Sequence, residues 1–210
     1  MDVVTTLPNY PTGRIFPGWS RRPVQVAVER GMRVVRVWSW PSMGRGPGRV
    51  LNYLTFGVAS VVGLIGSRPA DWIVVEYPTL FGAVPSVVWC RLTGRRVIVN
   101  VADLWLDAVV EMGGRASGVV ARVLRRLERW MLLRADVVTT VTEGLRDTLL
   151  EGGVDPGRLA WLPNGADTVM FSPGPSDADR RRRLVGDPSR HIALYAGTHG
   201  YVHRLEVVGR

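Results

Sequence analysis

One pattern constrains this chain above all others: short β-branched runs alternate with longer stretches of helical periodicity along almost its whole length. Val3–Thr5, Val24–Glu29, Val34–Trp40, Trp72–Glu76, Arg96–Val101, Val137–Thr142 and Leu159–Leu162 read as strands. Val50–Gly66, Ala83–Leu92, Gly118–Leu133 and Glu143–Glu151 read as helices, the last closed by Gly152-Gly153. Strands separated by helices form βαβ units, so the expected fold is α/β: a doubly wound, Rossmann-like parallel sheet. Arg30-Gly31 between two strand-like runs predicts a hairpin, and the Pro/Gly/Arg stretch from Leu7 to Pro23 is too long for a turn. Long loops at strand ends are often functional.

The composition breaks at Phe171. Residues 172–190 read as a linker by their Pro, Gly and Ser content and the Arg180–Arg183 charge run. His191–Ala196 then predicts a strand entering Gly197-Thr198-His199-Gly200, the opening of another α/β unit. The predicted organisation is therefore one domain over 1–171, a linker over 172–190 and the first strand and loop of a second domain over 191–210.

Charge separates partner classes less well. The net charge is +9 and all 27 basic residues are arginine. Residues 1–49 hold eight of them against only Asp2 and Glu29, and residues 115–134 hold six against Glu128. Such local patches attract an anionic membrane surface, a phosphorylated ligand or a nucleic acid alike. No helix-turn-helix or RNP-like pattern accompanies them, so nucleic acid ranks last. Cys90, the single cysteine, excludes an intramolecular disulfide and a multi-thiolate metal site. No charged region followed by an apolar run opens the chain, which predicts a cytoplasmic location. Val50–Gly66 is short for a membrane span and carries Asn52, Thr55 and Ser60, so a buried helix is expected there.

On the predicted helix 118–133, Val119, Val120, Val123, Leu124, Leu127 and Met131 fall on one side and Arg122, Arg125, Arg126 and Arg129 on the other. The basic side either faces an anionic bilayer or is a solvated face. Trp19, Trp38, Trp40 and Tyr10 lie in the other basic stretch, as membrane-interface anchors or as core.

The most informative string is Leu162-Pro163-Asn164-Gly165-Ala166-Asp167 running on to Phe171. Asn164-Gly165 predicts a tight turn with positive φ, whose free backbone amides could meet an anion. Together with Val4-Thr5-Thr6-Leu7-Pro8-Asn9-Tyr10-Pro11-Thr12-Gly13, Val101-Ala102-Asp103-Leu104-Trp105, Thr142-Glu143-Gly144-Leu145 and Tyr195-Ala196-Gly197-Thr198-His199-Gly200, it covers most of the chain. In that order these strings resemble the retaining family 4 glycosyltransferases of the GT-B type, in particular the bacterial amino-sugar transferases of cell-surface polysaccharide synthesis.

The resemblance implies an acceptor-side domain first and a nucleotide-sugar domain second, with sugar transfer from a nucleoside-diphosphate donor to a lipid-linked acceptor, no cofactor and no obligatory metal. It implies a catalytic role for Asp103, where Ala102 stands in place of the family's frequent histidine, with Asp107 as a neighbour. Asn9, Tyr10, Thr142, Glu143, Asn164, Gly165, Gly197, His199 and Gly200 are the substrate-binding candidates. Asp103 as a loop cap and Thr142-Glu143 as a helix start are the structural alternatives. In the family a strand, a glycine-rich loop and a helix precede Val3, so the Val3–Thr5 strand is expected to lack its usual neighbour. The expectation is an inactive fragment, peripheral at the inner face of the cell membrane. The competing reading is a non-catalytic anion- or membrane-binding α/β module.

Overall fold

The computed structural model describes all residues except 43–46, 78–79, 105–117, 176, 188–190, 192–193 and 198–210. The elements are β1 (Asp2–Thr6), β2 (Val24–Glu29), β3 (Met32–Val37), α1 (Pro47–Ile65), β4 (Trp72–Glu76), α2 (Leu80–Leu92) and β5 (Arg96–Val101). Then follow α3 (Val119–Arg134), β6 (Val137–Thr140), α4 (Glu143–Glu151), a 3-10 turn (Pro156–Arg158), β7 (Leu159–Trp161) and α5 (Ala178–Val185). The strands lie in two sheets. One has the order β1-β3-β2 and the other, wholly parallel, the order β4-β5-β6-β7. The doubly wound α/β reading therefore holds for β4 to β7, and β2 with β3 forms the expected antiparallel hairpin across Arg30-Gly31.

β1 pairs in parallel with β3 alone, from Asp2 against Arg33 to Thr6 against Val37. Among the described residues no ladder joins β1 to β4 and β1 lacks a neighbour on one side, as expected. Side chains hold the two sheets in one compact unit, Met1–Pro163. Asp2 accepts from the Arg33 and Arg68 side chains and from the Arg68 backbone N–H. Arg68 leads into β4, so β1 and β4 start at the same end of the unit.

The core lies between β4–β6 and helices α2 and α3. Val75, Val97, Val99, Val101 and Val138 point inward from the strands, meeting Ala83, Val87 and Cys90 of α2 and Met131 and Leu132 of α3. Period-2 alternation puts these valines on one face, and each fully buried side chain of this size contributes about 1.5–3 kcal/mol.

α1 differs from expectation. The structure does not bury it as a core helix: its inward face is made of Gly57, Ser60, Gly63 and Leu64, while Val50, Leu51, Leu54, Val58, Val62 and Ile65 are exposed. Small residues let the backbones approach closely, and that decides which face packs. A Cβ on Gly57 would collide with the Phe81 carbonyl of α2, and one on Gly63 would come within 2.5 Å of Val4 Cγ1. Ser60 and Ser86 hydroxyls meet at 3.3 Å across the same contact. The Pro85 ring inside α2 stands at the same place.

One further expectation is corrected. The first turn of α3 does not face the core: Val119, Val120 and Val123 are exposed, and packing begins at Leu124. Within the predicted linker, residues 180–183 belong to α5, whose start Asp177 caps by accepting from Arg180 N–H at 2.9 Å. Of the strand predicted over His191–Ala196, residues 192–193 lie outside the described residues; 191 and 194–196 carry no strand, and Leu194 is 80% exposed. A strand needs a ladder partner, and none lies beside this segment among the described residues. Residues 164–210 form a second unit, dividing from the first after Pro163 and ahead of the composition break at Phe171.

Candidate functional site

In open parallel α/β sheets ligands bind outside the carboxyl ends of the strands, where loops leave a rigid scaffold. Three of the sequence-predicted segments leave strands at that end: the loop after β1, the residues after β5 and the turn after β6.

The first begins where Thr6 Oγ1 meets Ser39 Oγ at 2.7 Å and Leu7 plugs the core, so the loop leaves from a fixed point. Asn9 organises that loop. Its side-chain amide donates to the Leu7 carbonyl at 3.1 Å, and its own carbonyl accepts from Gly13 N–H at 2.7 Å. Tyr10, 68% exposed, precedes a cis peptide to Pro11 and presents its ring to solvent. Asn9 is thus engaged in shaping the turn, while the Tyr10 side chain is exposed on the loop.

After β5, Ala102 and Asp103 are exposed while Leu104 packs on the core. The Asp103 carboxylate makes no hydrogen bond or ion pair among the described residues, and the amides that a loop cap at this position would bond, from residue 105 on, lie outside them. Asp107 and Trp105 lie outside the described residues. After β6, Thr142 is the N-cap of α4, its Oγ1 accepting from Leu145 N–H at 3.2 Å. Glu143 follows in the first turn, exposed, where a negative charge suits the helix dipole. Thr142 and Glu143 therefore do start a helix, and Thr142 has a structural task whatever else it touches.

Two polar arrangements at this end escape a reading of the sequence. Glu76, Asn100 and Thr139 are cross-strand partners on β4, β5 and β6. Asn100 Nδ2 donates to Glu76 Oε2 at 2.8 Å, and Thr139 Oγ1 donates to Asn100 Oδ1 at 2.7 Å. The chain pins Asn100 from both sides, near the carboxyl ends of three strands. Beside it Tyr77 N–H donates to the Asn100 carbonyl at 2.9 Å, and the Tyr77 hydroxyl donates to the buried Glu128 carboxylate of α3. Only register identifies the first set. The second had a signal in the sequence: Glu128, the lone acid among the α3 arginines, sits four residues after Leu124 and three before Met131, on the packed side. Thr140 Oγ1 is buried and has no partner among the described residues.

Arg122, Arg125, Arg126 and Arg129 are all exposed on α3. In the second unit, the predicted turn moves. Neither Asn164 nor Gly165 has positive φ. The reversal instead forms at Asp167, whose Oδ1 accepts from Val169 N–H at 3.0 Å and Met170 N–H at 2.9 Å, while its carbonyl accepts from Phe171 N–H. An aspartate that bonds two amides ahead of itself makes the turn without a left-handed residue. Asn164 and Gly165 are exposed, as is Gly197; His199 and Gly200 lie outside the described residues.

A glycosyl transferase 4-like domain matches residues 1–165. This chain belongs to that family. Among curated relatives of this glycosyl transferase 4-like chain is the putative colanic acid biosynthesis glycosyl transferase WcaI of Escherichia coli (strain K12). It is 28% identical over 216 residues, 98% of this chain and 52% of the relative. The chain thus spans about half the length of the curated relative it matches. Among solved structures, the sucrose-phosphate synthase of Thermosynechococcus elongatus superposes with a TM-score of 0.56 at 17% identity, covering 87% of this chain and 42% of that one. The fold of this family member is accordingly that of a GT-B amino-terminal domain.

Proposed function

We propose that this chain is the acceptor-side part of a retaining glycosyltransferase that moves a sugar from a nucleoside-diphosphate donor to a lipid-linked acceptor in cell-surface polysaccharide synthesis. The observation that carries this reading is the family match over 1–165, whose loops after β1, β5 and β6 leave the carboxyl ends of the strands. The name of the half-matched relative supports the polysaccharide setting. In this reading Tyr10 contacts the acceptor and Asp103, exposed and not engaged elsewhere among the described residues, accepts or orients the acceptor hydroxyl proton. Asn164 and Gly165, with Gly197, His199 and Gly200, contact the donor.

The membrane follows from the acceptor. A lipid diphosphate stays at a bilayer surface, so the protein works at the cytoplasmic face, and the exposed arginines of α3 favour an anionic one. The test incubates purified chain with candidate nucleotide sugars and a polyprenyl-diphosphate sugar in detergent, reading nucleotide release and acceptor binding together. Saturable acceptor binding weakened by Asp103→Asn or Tyr10→Ala supports the reading, and turnover by this chain alone overturns its being only the acceptor-side part. A chain that neither turns over nor binds the acceptor refutes it.

A further inference from the structure

We infer that the outward face of α1 together with strand β2 is a bilayer-docking surface for anionic lipid. This deepens the lipid-linked acceptor reading and rests on it for the setting, but the geometry that carries it lies elsewhere in the fold. α1 is the one helix among the described residues long and apolar enough to cross a membrane by length and composition. It does not use that apolarity to pack. Val50, Leu51, Leu54, Val58, Val62 and Ile65 recur every three to four residues and form one solvent-facing stripe, with Val58 69% exposed. The helix is held from behind by its glycine and serine face, so the stripe is presented on a fixed support.

The stripe continues onto the sheet. Val24, Val26 and Val28 of the hairpin are exposed, and by their pairing they share a face with Val35 and with Val37, against which Gly63 of α1 rests. Between helix and hairpin runs an apolar groove of about 500 Å³, with Val24, Trp38, Leu54, Val58 and Val62 in its walls and Arg21 among its lining residues. Trp40, 46% exposed, is tied to α1: its N–H donates to Thr55 Oγ1 at 2.9 Å and its carbonyl accepts from Asn52 Nδ2 at 2.5 Å. A soluble surface rarely leaves so large an apolar patch open, and tryptophans beside it suit the headgroup layer.

Charge selects the occupant. The only acids in residues 1–66 are Asp2 and Glu29. Both are neutralised within the fold, Asp2 by Arg33 and Arg68 and Glu29 by a two-bond contact with Arg36. Arg21, Arg22 and Arg30 are exposed and make no ion pair among the described residues: Arg21 on the groove, Arg22 beside it in sequence, Arg30 in the hairpin turn. An apolar stripe bordered by cations and without a free acid matches an anionic lipid surface, into which the valines and leucines insert while the arginines meet phosphates. A second copy of this chain would bring a second set of the same cations against the first.

The experiment sediments the full chain with vesicles of phosphatidylcholine alone and of phosphatidylcholine with an equal part of phosphatidylglycerol. Val58→Glu with Val62→Glu, both at exposed positions, should weaken binding to the anionic vesicles about tenfold or more without moving the thermal unfolding midpoint. Arg21→Ser with Arg22→Ser, which removes no packed group, should weaken the preference for anionic over neutral vesicles. Binding undiminished in both variants overturns the proposal. So does binding lost only on substituting Arg122 and Arg126 of α3, or a chain that ignores vesicles and dimerises through Val58 and Val62. Acceptor binding in detergent is measured alongside. Vesicle binding that depends on α1 while the acceptor is not bound leaves this surface standing and removes the sugar-transfer reading instead.

Discussion

Arg68 reaches back to Asp2 with three hydrogen bonds, two from its guanidinium at 2.9 and 2.5 Å and one from its backbone N–H at 3.0 Å. The contact ties the first residue of β1 to the segment entering β4, two strands of separate sheets that share no ladder among the described residues.

Asp2 therefore makes stability sensitive to acid. The Arg68 hydrogen bonds, with help from Arg33, hold the Asp2 carboxyl far below the usual carboxylate range. A carboxyl whose pKa is lower folded than unfolded stabilises the fold above its unfolded value, about 3.9, and loses that contribution as pH falls below it toward the folded value. Thermal unfolding of Asp2→Asn should therefore lie below wild type near neutral pH, with the two curves converging below about pH 4. A gap that is constant through the acid range would dissociate the ion pair from stability.

The closeness of α1 and α2 gives a second prediction. Because a Cβ at Gly57 would enter the space of the Phe81 carbonyl, Gly57→Ala should destabilise despite its better helix propensity, by about 1–3 kcal/mol. Denaturant midpoints measure this directly. A stabilised Gly57→Ala would mean that the two helices can part at little cost.

Thr142 separates capping from ligand contact. Thr142→Ala should cost about 1 kcal/mol through the lost bond to Leu145 N–H, and Thr142→Ser should restore it. If the alanine variant unfolds at the wild-type midpoint, the hydroxyl is not a structural cap and its presence at the strand end points to a ligand.

Cys90 should be chemically silent in the folded protein. It is buried in α2, and desolvation outweighs the nearby Arg95 and Arg91 charges to push its thiol up to about 11. Since the thiolate is the reactive form, a disulfide reagent at neutral or mildly alkaline pH should label Cys90 only after denaturant is added. Rapid labelling of the native chain would show that α2 opens from the sheet.

Much of this architecture is legible in the residues themselves. Trp72–Glu76, Arg96–Val101 and Glu143–Glu151 form at the bounds their periodicity suggests, because buried parallel strands need continuous apolar runs and helices need caps. What is not legible depends on contacts distant in sequence. The apolar face of α1 looks like core until Gly57 and Gly63 are found against Phe81 and Val4. The link between Glu76, Asn100 and Thr139 follows from register alone. Asn164-Gly165 carries the local signature of a turn, yet the turn forms at Asp167, whose carboxylate holds the Val169 and Met170 amides. Of the candidate site, Asp103 and Thr142 were visible as types at strand ends, while their different engagement was decided by the fold.

The missing ladder between β1 and β4 has a practical corollary for anyone handling this chain. Each of these strands carries a row of main-chain donors and acceptors that no strand covers on one side among the described residues, and such a row is a template on which any extended peptide can crystallise. Concentrating the protein brings these edges into mutual reach, and a charge or a proline placed along them is what would blunt the association.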